Sequence, residues 1–434
     1  MTDLYVAGGG IVLAMILLAM RVPIGVALGL VSFGGIALLR SPKAALEAFG
    51  TLPFDFAASW SLSAVPMFVL MGAVTYHSGL TSKLYDAARV WLYRVPGGLA
   101  VASNFASAGF AAASGSSLAT SAAMSKVAVP EMLKFGYDRG LATATVAASG
   151  TLGALIPPSI AFVIYGWYTE QSVPKLLIAG ILPGLLTAVA YAVMIVLRCM
   201  LKPKLAPRIN LEVSRGERWR KLNSVWPTLL LIGGVIGGMY GGLTTASEAG
   251  AFGAFLAFVI AGVQGRLSKK VIFNSIAEAV ATTASILFIA IGAVMLTRFL
   301  ALAGVPIFMS ELVSSWNTSV ISIIILLSVV YLILGMFLDP MGLMLITLPI
   351  FLPTFKALGI DLIWMGVIIV KYIEIGLLTP PVGLNAYVVK SVIGDAVGLG
   401  TIFRGLLWFL ACEAVVMVLL IGFPSISLFL PGFM

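Results

Sequence analysis

Leu222–Ser247 runs for 26 residues without a charged side chain, Leu176–Leu197 for 22 and Ala279–Thr297 for 19. About 20 apolar residues in a helix span the hydrocarbon core of a bilayer. In that medium every backbone donor and acceptor must be satisfied internally, which a helix does within one segment. Of the 434 residues, 60% are hydrophobic and only 10% charged, whereas soluble domains carry roughly 25% charged residues. The chain therefore reads as an all-α polytopic membrane protein whose main partner is the lipid bilayer.

The formal net charge of +9 needs no nucleic acid to explain it. Basic residues cluster in short loops between apolar runs, as the positive-inside bias requires. Between Lys202 and Lys221 stand Lys202, Lys204, Arg208, Arg215, Arg218, Arg220 and Lys221, against Glu212 and Glu217. That loop is expected in the cytoplasm. A single histidine, His77, leaves no material for a His-based triad or metal cluster, so His77 is expected at a helix end. Cys199 and Cys412 lie in apolar runs and are too few for a disulfide framework. The opening MTDLY has neither a basic n-region nor a cleavage signal, so the first helix is expected to be retained.

Two proline pairs interrupt this apolar sequence, in GTLGALIPPSI (150–160) and GLLTPPVGL (376–384). They are 223 residues apart, and the same offset aligns Pro130 with Pro353, Gly136 with Gly359, Asp138 with Asp361 and Gly153 with Gly376. This is the mark of an internal repeat: 1–200 and 225–434, joined by a basic linker over 201–224. Val95–Ser125 is uncharged for 31 residues, about 46 Å as one helix at 1.5 Å per residue and too long for one crossing. It is flanked by Lys83, Arg89 and Arg94 before and by Lys126, Lys134 and Arg139 after. Basic residues on both flanks favour one membrane side. A re-entrant hairpin near 95–135 fits both facts, with its tip at SGSS (114–117). Leu312–Phe355 repeats the pattern with 44 residues and one charge, Asp339 in GMFLDPMG, and gives a second hairpin near 312–355.

The expected spans are 4–20, 22–39, 62–80, a broken helix at 140–168 and 176–199, then 225–242, 249–265, 271–298, a broken helix at 362–390 and 401–423. Five crossings per half invert the second copy and leave both chain ends periplasmic. Arg40 and Lys43 fall outside in this scheme, against the positive-inside bias. KLYDAARVWLYRV (83–95) reads as an interfacial helix bracing the cytoplasmic surface.

Inverted repeats with interrupted helices are the sequence mark of secondary transporters. Proline removes a backbone donor and frees a carbonyl, which lipid tolerates only where the gap lines a cavity or is buried in protein. Freed carbonyls can hold a small cation, and half-helix N-termini attract an anion. Each proline pair is thus expected to mark half of a midplane site facing its own hairpin tip.

At these residues a family resemblance emerges. ASGSSLATSAAM and VPEMLKFGYDRGLATATVAASGTLGALIPPSIAFVIYG within 113–166, GMFLDPMGLMLITLPIFLP (335–353) and EIGLLTPPVGLNAYVVK (374–390) resemble the large membrane subunit of the tripartite ATP-independent periplasmic (TRAP) transporters. TTASEAGAFGA (244–254) resembles the family's T-P-T-E-A element, with Ala246 in place of the proline. The resemblance implies sodium-coupled import of a small organic anion, a carboxylate or sugar acid, across the bacterial inner membrane. It also implies an elevator-type mechanism, a soluble periplasmic substrate-binding protein and a small four-helix membrane subunit, here expected as a separate chain.

Sodium takes oxygen ligands. One expected site joins Ser114, Gly115 and Ser116 with Thr151, Gly153, Pro157 and Ser159; a second joins Gly335 and Asp339 with Thr379, Gly383 and Asn385. Ser116, Ser117, Thr120, Ser159 and Asn385 are the candidates for substrate contact. No arginine lies in either tip or either proline break, so the anion would be held by hydroxyls, amides and helix ends. Lys371 and Glu374, three apart, are within reach of an ion pair. Glu248 is expected at a helix end, and Arg298 is expected to snorkel. No cofactor beyond the coupling ion and no catalytic residue is expected. A symporter of similar design working alone, an ATP-driven permease subunit and an intramembrane enzyme are the alternatives; uptake that needs no periplasmic protein would favour the first.

Overall fold

The computed structural model describes residues 2–209, 213–315 and 320–434; Glu212 and residues 316–319 of the second apolar run lie outside them. Among the described residues every regular element is helical. Seven helices among the described residues are long and apolar enough to cross a membrane, or eight if one bent pair is counted as a span.

Both halves run through a similar order of elements. The first begins with Thr2–Ala19, Ile24–Leu39 and the bent pair Pro42–Ala57 and Ala64–His77, followed by the short helix Leu80–Leu92. A hairpin follows, with legs Gly98–Ser114 and Ser117–Lys134, and then a helix broken into Arg139–Gly150, Leu152–Leu155 and Ile160–Thr169. Val173–Ala179 and Ile181–Leu201 close the half. The second has Trp226–Tyr240, Ala246–Val263, the long helix Lys269–Leu302 and the short Val305–Ser315. Its hairpin legs are Val320–Gly335 and Pro340–Ala357; its broken helix is Leu362–Gly376 and Leu384–Ile393; Leu399–Gly422 closes it. A basic helix, Arg215–Asn223, lies in the linker.

The residues that recur at one offset occupy like positions. Gly136 and Gly359 follow the second hairpin legs with φ of 76° and 64°, the left-handed conformation that ends a helix and that glycine alone adopts without strain. Asp138 and Asp361 then start the broken helices: Asp138 accepts from the Leu141 N–H at 2.8 Å, and Asp361 from Ile363 and Trp364 at 2.8 and 2.9 Å. Such caps satisfy donors that a helix end leaves free. Each proline pair interrupts a helix, and the peptide bond inside each pair is cis.

Helix Ile24–Leu39 packs along Lys269–Leu302, and Ala246–Val263 packs along Ala64–His77, so the halves interlock crosswise. The broken helices sit inside this frame. In Arg139–Thr169, 94% of the most apolar stretch is buried, against 39% in Lys269–Leu302 and in Leu399–Gly422. Every residue from Trp364 to Gly376 is also buried. The first break therefore lies where protein, not lipid, surrounds it, whereas Pro381 in the second break is exposed. The broken helices exchange halves between two cores: Arg139–Gly150 packs with Leu384–Ile393, while Ile160–Thr169 packs with Leu362–Gly376.

Three elements differ from the sequence expectation. Pro42–Ala57 is helical although Lys43, Glu47, Asp55 and Pro53 break its apolar run. The interfacial helix spans Leu80–Leu92, not 83–95. The expected span 176–199 is longer, a single crossing from Val173 to Leu201 with a turn at Gly180. Cys199 is buried, Cys412 half-buried, and both are free thiols.

Candidate functional site

At the first tip, Ser114 ends one leg, Gly115 turns left-handed at φ 64°, and Ser116 caps the next leg by accepting from the Ala119 N–H at 3.4 Å. Thr120 folds back over the turn: its hydroxyl donates to the Ser116 carbonyl at 2.8 Å and meets the Ser114 hydroxyl at 2.8 Å. The first break presses on this tip. A Cβ on Gly153 would stand 2.6 Å from the Ser116 carbonyl oxygen, and one on Gly115 would stand 2.7 Å from that of Pro158. Beyond the break, Ser159 caps Ile160–Thr169, accepting from Phe162 at 3.3 Å and donating to the Ala154 carbonyl at 2.5 Å. Thr151 donates to the Ala148 carbonyl at 2.6 Å.

The second tip has the same plan with different chemistry. Gly335 meets Gly376 backbone to backbone, so a Cβ on Gly376 would lie 2.8 Å from the Gly335 Cα. Asp339 caps Pro340–Ala357, its carboxylate accepting from Met341 and Gly342, both at 3.1 Å.

A cavity of about 600 Å³ opens between these parts and the long helix. Gly115, Ser116, Ser117 and Leu118 line it from the first tip, and Ala154, Ile160 and Ala161 from the first break. Asp339, Pro340 and Met341 line it from the second tip, Glu374 from the second broken helix, and Ala281, Thr282, Ser285, Ile286 and Ile289 from Lys269–Leu302. Three of these groups are the opening residues of helices: Ser117–Lys134, Ile160–Thr169 and Pro340–Ala357. Their partial positive ends converge on one space. Among the described residues, the only acidic or basic side chains lining it are those of Asp339 and Glu374. Two of these ends, at Ser117 and Ile160, turn backbone donors toward the cavity, whereas the third is already occupied, since Pro340 has no N–H and Met341 and Gly342 bond to Asp339.

Glu374 accepts a hydrogen bond from the Ser117 hydroxyl at 2.7 Å, tying the second broken helix to the first tip. It does not pair with Lys371. Lys371 is fully buried, forms an ion pair with Glu413 of Leu399–Gly422 and donates to the Thr187 hydroxyl at 3.1 Å. Tyr191 donates to the same Glu413. Three residues leave about 60° between two side chains around a helix, enough to send one to the cavity and the other to the core.

The expected site residues therefore divide. Ser116, Ser117 and Asp339 reach the cavity together, with Gly115, while Ser114 and Thr120 brace the tip behind it and Thr151, Gly153, Pro157 and Ser159 form the adjoining break. Gly335 supports the second tip from behind. Thr379, Gly383 and Asn385 do not line this cavity. Thr379 donates to the Ile375 carbonyl at 2.7 Å, Gly383 starts Leu384–Ile393, and the Asn385 amide donates to the Ala147 carbonyl at 3.1 Å. The Asn385 side-chain oxygen is buried and meets no donor, an oxygen lone pair free to ligate. Ala281, Thr282, Ser285 and Ile289 were not among the expected residues; the only sequence signal was ATTAS (281–285), a polar stretch in an apolar span.

The family model described as "Tripartite ATP-independent periplasmic transporter, DctM component" matches residues 11–426. The C4-dicarboxylate TRAP transporter large permease protein of Pseudomonas aeruginosa is 35% identical over 92% of this chain and 93% of its own length. The sialic acid TRAP transporter large permease protein of Vibrio cholerae is 30% identical over 96% of each. An isethionate TRAP permease of Oleidesulfovibrio alaskensis is 31% identical over 96% of this chain and 65% of its own length. Among solved structures, the YdaH transporter of Alcanivorax borkumensis aligns with a TM-score of 0.62 at 16% identity, covering 89% of this chain and 90% of that one. At that identity the likeness is one of fold.

Proposed function

Because this chain belongs to the DctM component family of the tripartite ATP-independent periplasmic transporters, and so is a multi-pass permease of the inner membrane, we propose that it imports a small organic anion in symport with sodium. The observation that carries this reading is the convergence of two open helix N-termini and two acidic side chains on one cavity. Helix ends suit a carboxylate or a sugar acid. The acidic side chains beside those ends suit a cation that enters with the anion, which couples the two charges.

Sodium would be held by oxygen. Asp339 and the Ser114–Ser116 tip offer one set, with Thr151, Gly153 and Pro157 beside it. The unpaired Asn385 oxygen, with Thr379 and Gly383, offers a second. The substrate would be a small organic anion of the kind named for its relatives, which include C4-dicarboxylate, sialic acid and isethionate permeases. A soluble periplasmic binding protein would deliver it, and a separate small four-helix membrane subunit would complete the frame. Alternating access would follow from sliding the hairpins and broken helices as one body against the crosswise frame, with the halves inverted in the bilayer.

Reconstitution of the chain with its small subunit tests this. Uptake into proteoliposomes is expected to require an inward sodium gradient and the binding protein, without internal ATP. Ser116→Ala and Thr379→Ala are each expected to weaken the dependence on sodium. Uptake driven without sodium, or unaltered sodium dependence in both variants, overturns the assignment.

A further inference from the structure

On the basic side of the molecule, well away from the transport cavity, a pocket of about 700 Å³ is lined by Tyr93, Arg94, Gly97, Tyr137, Cys199 and Arg208 among others. Its floor is built tightly: a Cβ on Gly97 would lie 2.8 Å from the Cys199 sulfur, and the Tyr137 hydroxyl accepts from the Leu99 N–H at 3.1 Å. Two guanidinium groups, Arg94 of the lining and Arg218 outside it, converge on the hydroxyl of the lining residue Tyr93. Arg94 Nε donates to Tyr93 Oη at 3.0 Å, and Arg218 Nη2, from the linker helix, donates to it at 2.9 Å. Each guanidinium also lies 5.6 Å from the Tyr93 ring centroid.

Among the described residues none of Arg94, Arg208 and Arg218 forms an ion pair. Of the acids nearby, Asp86 pairs with Lys221, Glu131 with Arg89, and Asp138 caps a helix, while Glu217 of the linker helix forms no ion pair among the described residues. The Arg218 Nε is buried and has no partner. Like charges held together around a neutral oxygen repel one another, and an unpaired buried donor is costly. Both costs disappear if an anion with several acceptor oxygens enters beside them, since guanidinium binds phosphate through paired hydrogen bonds.

The surroundings are those of a lipid. Trp91 and Trp219 meet edge to face, with centroids 5.6 Å apart, and both stay exposed. Met200 and Leu201 beside the pocket are 61% and 82% exposed. Exposed tryptophans with a basic cluster describe a membrane interface, and the basic linker places it at the cytoplasmic leaflet, where anionic lipids are recognised by such pockets. We propose that this pocket binds the phosphate headgroup of an anionic phospholipid, with its acyl chains along Met200, Leu201 and the tryptophan pair, and that the lipid ties the linker helix to the turn between Leu80–Leu92 and the first hairpin.

The test is thermal unfolding of the full chain in nanodiscs of phosphatidylcholine alone and with added phosphatidylglycerol. The unfolding midpoint is expected to rise with phosphatidylglycerol in the native protein. The rise should vanish in Arg94→Gln/Arg218→Gln and persist in Arg215→Gln/Arg220→Gln, which removes the same charge from the exposed face of the same linker helix. If the first double variant does not fold, Arg208→Gln at an exposed loop position gives the second reading, with the rise reduced. No rise in the native protein overturns the proposal, as does an equal loss in both double variants, which would indicate diffuse attraction. A rise of the same size from inorganic phosphate in phosphatidylcholine discs also overturns it, because the occupant would then be free phosphate.

Discussion

Single residues here act through what they exclude. Gly153 and Gly376 lie at matched positions in the two broken helices, and both press backbone against a hairpin. Extra atoms in such a contact force a shift that costs roughly 1–3 kcal/mol. Gly153→Ala would push on the Ser116 carbonyl from 2.6 Å and so on the helix end that faces the cavity. It is expected to abolish most uptake while the protein still folds, as read by transport beside size-exclusion profiles; full transport in the variant would show that the tip yields freely. The fully buried Lys371–Glu413 pair is a residue-scale feature of another kind. Removing one partner of a buried pair costs about 3–5 kcal/mol, whereas replacing both can be near neutral. Lys371→Met is therefore expected to destabilise strongly, and adding Glu413→Gln to recover most of the loss. Thermal unfolding of the two variants measures this, and a double variant no better than the single one contradicts it. The sequence places Lys371 within reach of Glu374, but a spacing reports only which partners one helix permits. The actual partner lies 42 residues further on, brought there by packing between Leu362–Gly376 and Leu399–Gly422.

At the scale of elements, what could be read in advance and what could not follow the same division between local and tertiary causes. Both hairpins, both breaks and the tip at 114–117 were legible, because a turn needs glycine or serine, a cap needs a short acceptor, and a proline pair stops a helix wherever it stands. Gly136, Asp138 and their counterparts Gly359 and Asp361 carry those needs in their own chemistry. Pro42–Ala57 was hidden because three charges and Pro53 interrupt its apolar run, although it bends into Trp60–His77 at 55°. The long helix illustrates the other limit. With 34 residues it extends about 51 Å at 1.5 Å per residue, more than one straight crossing needs, so it must tilt or protrude. Its Thr282 and Ser285 face the cavity, yet hydroxyl residues occur in membrane helices for many reasons and nothing local marks these two. They give the element-scale prediction: Thr282→Val/Ser285→Ala is expected to impair substrate uptake and leave unfolding temperature near that of the native protein, because half-exposed and exposed hydroxyls add little to the fold. Native uptake kinetics in that variant would remove the long helix from the substrate path.

For the whole molecule the decisive question is how the two halves lie in the bilayer. Helix Ile24–Leu39 packs on Lys269–Leu302 as Ala246–Val263 packs on Ala64–His77, an exchange expected when two similar units are related by an axis in the membrane plane. The basic residues then fix the sense. Leu80–Leu92 is held to the linker by Lys221–Asp86 and to the second leg of the first hairpin by Arg89–Glu131, and Lys126 on that leg reaches the Tyr76 hydroxyl at 2.6 Å. Helix Leu80–Leu92, the linker and the far end of the hairpin thus gather on one face, and the density of lysine and arginine there predicts that it faces the cytoplasm. The second hairpin, whose flanks lack such a cluster, should enter from the opposite side. Cysteines introduced at Arg94, Lys134 and Arg220 are expected to react with a membrane-impermeant maleimide only after the cytoplasmic face is exposed, and one at Lys356 while the periplasmic face alone is accessible. Lys356 labelling from the cytoplasm together with Lys134 would place both hairpins on one side; the halves would then be parallel rather than inverted, and a single body carrying both tips past the frame could not present the cavity to each side in turn.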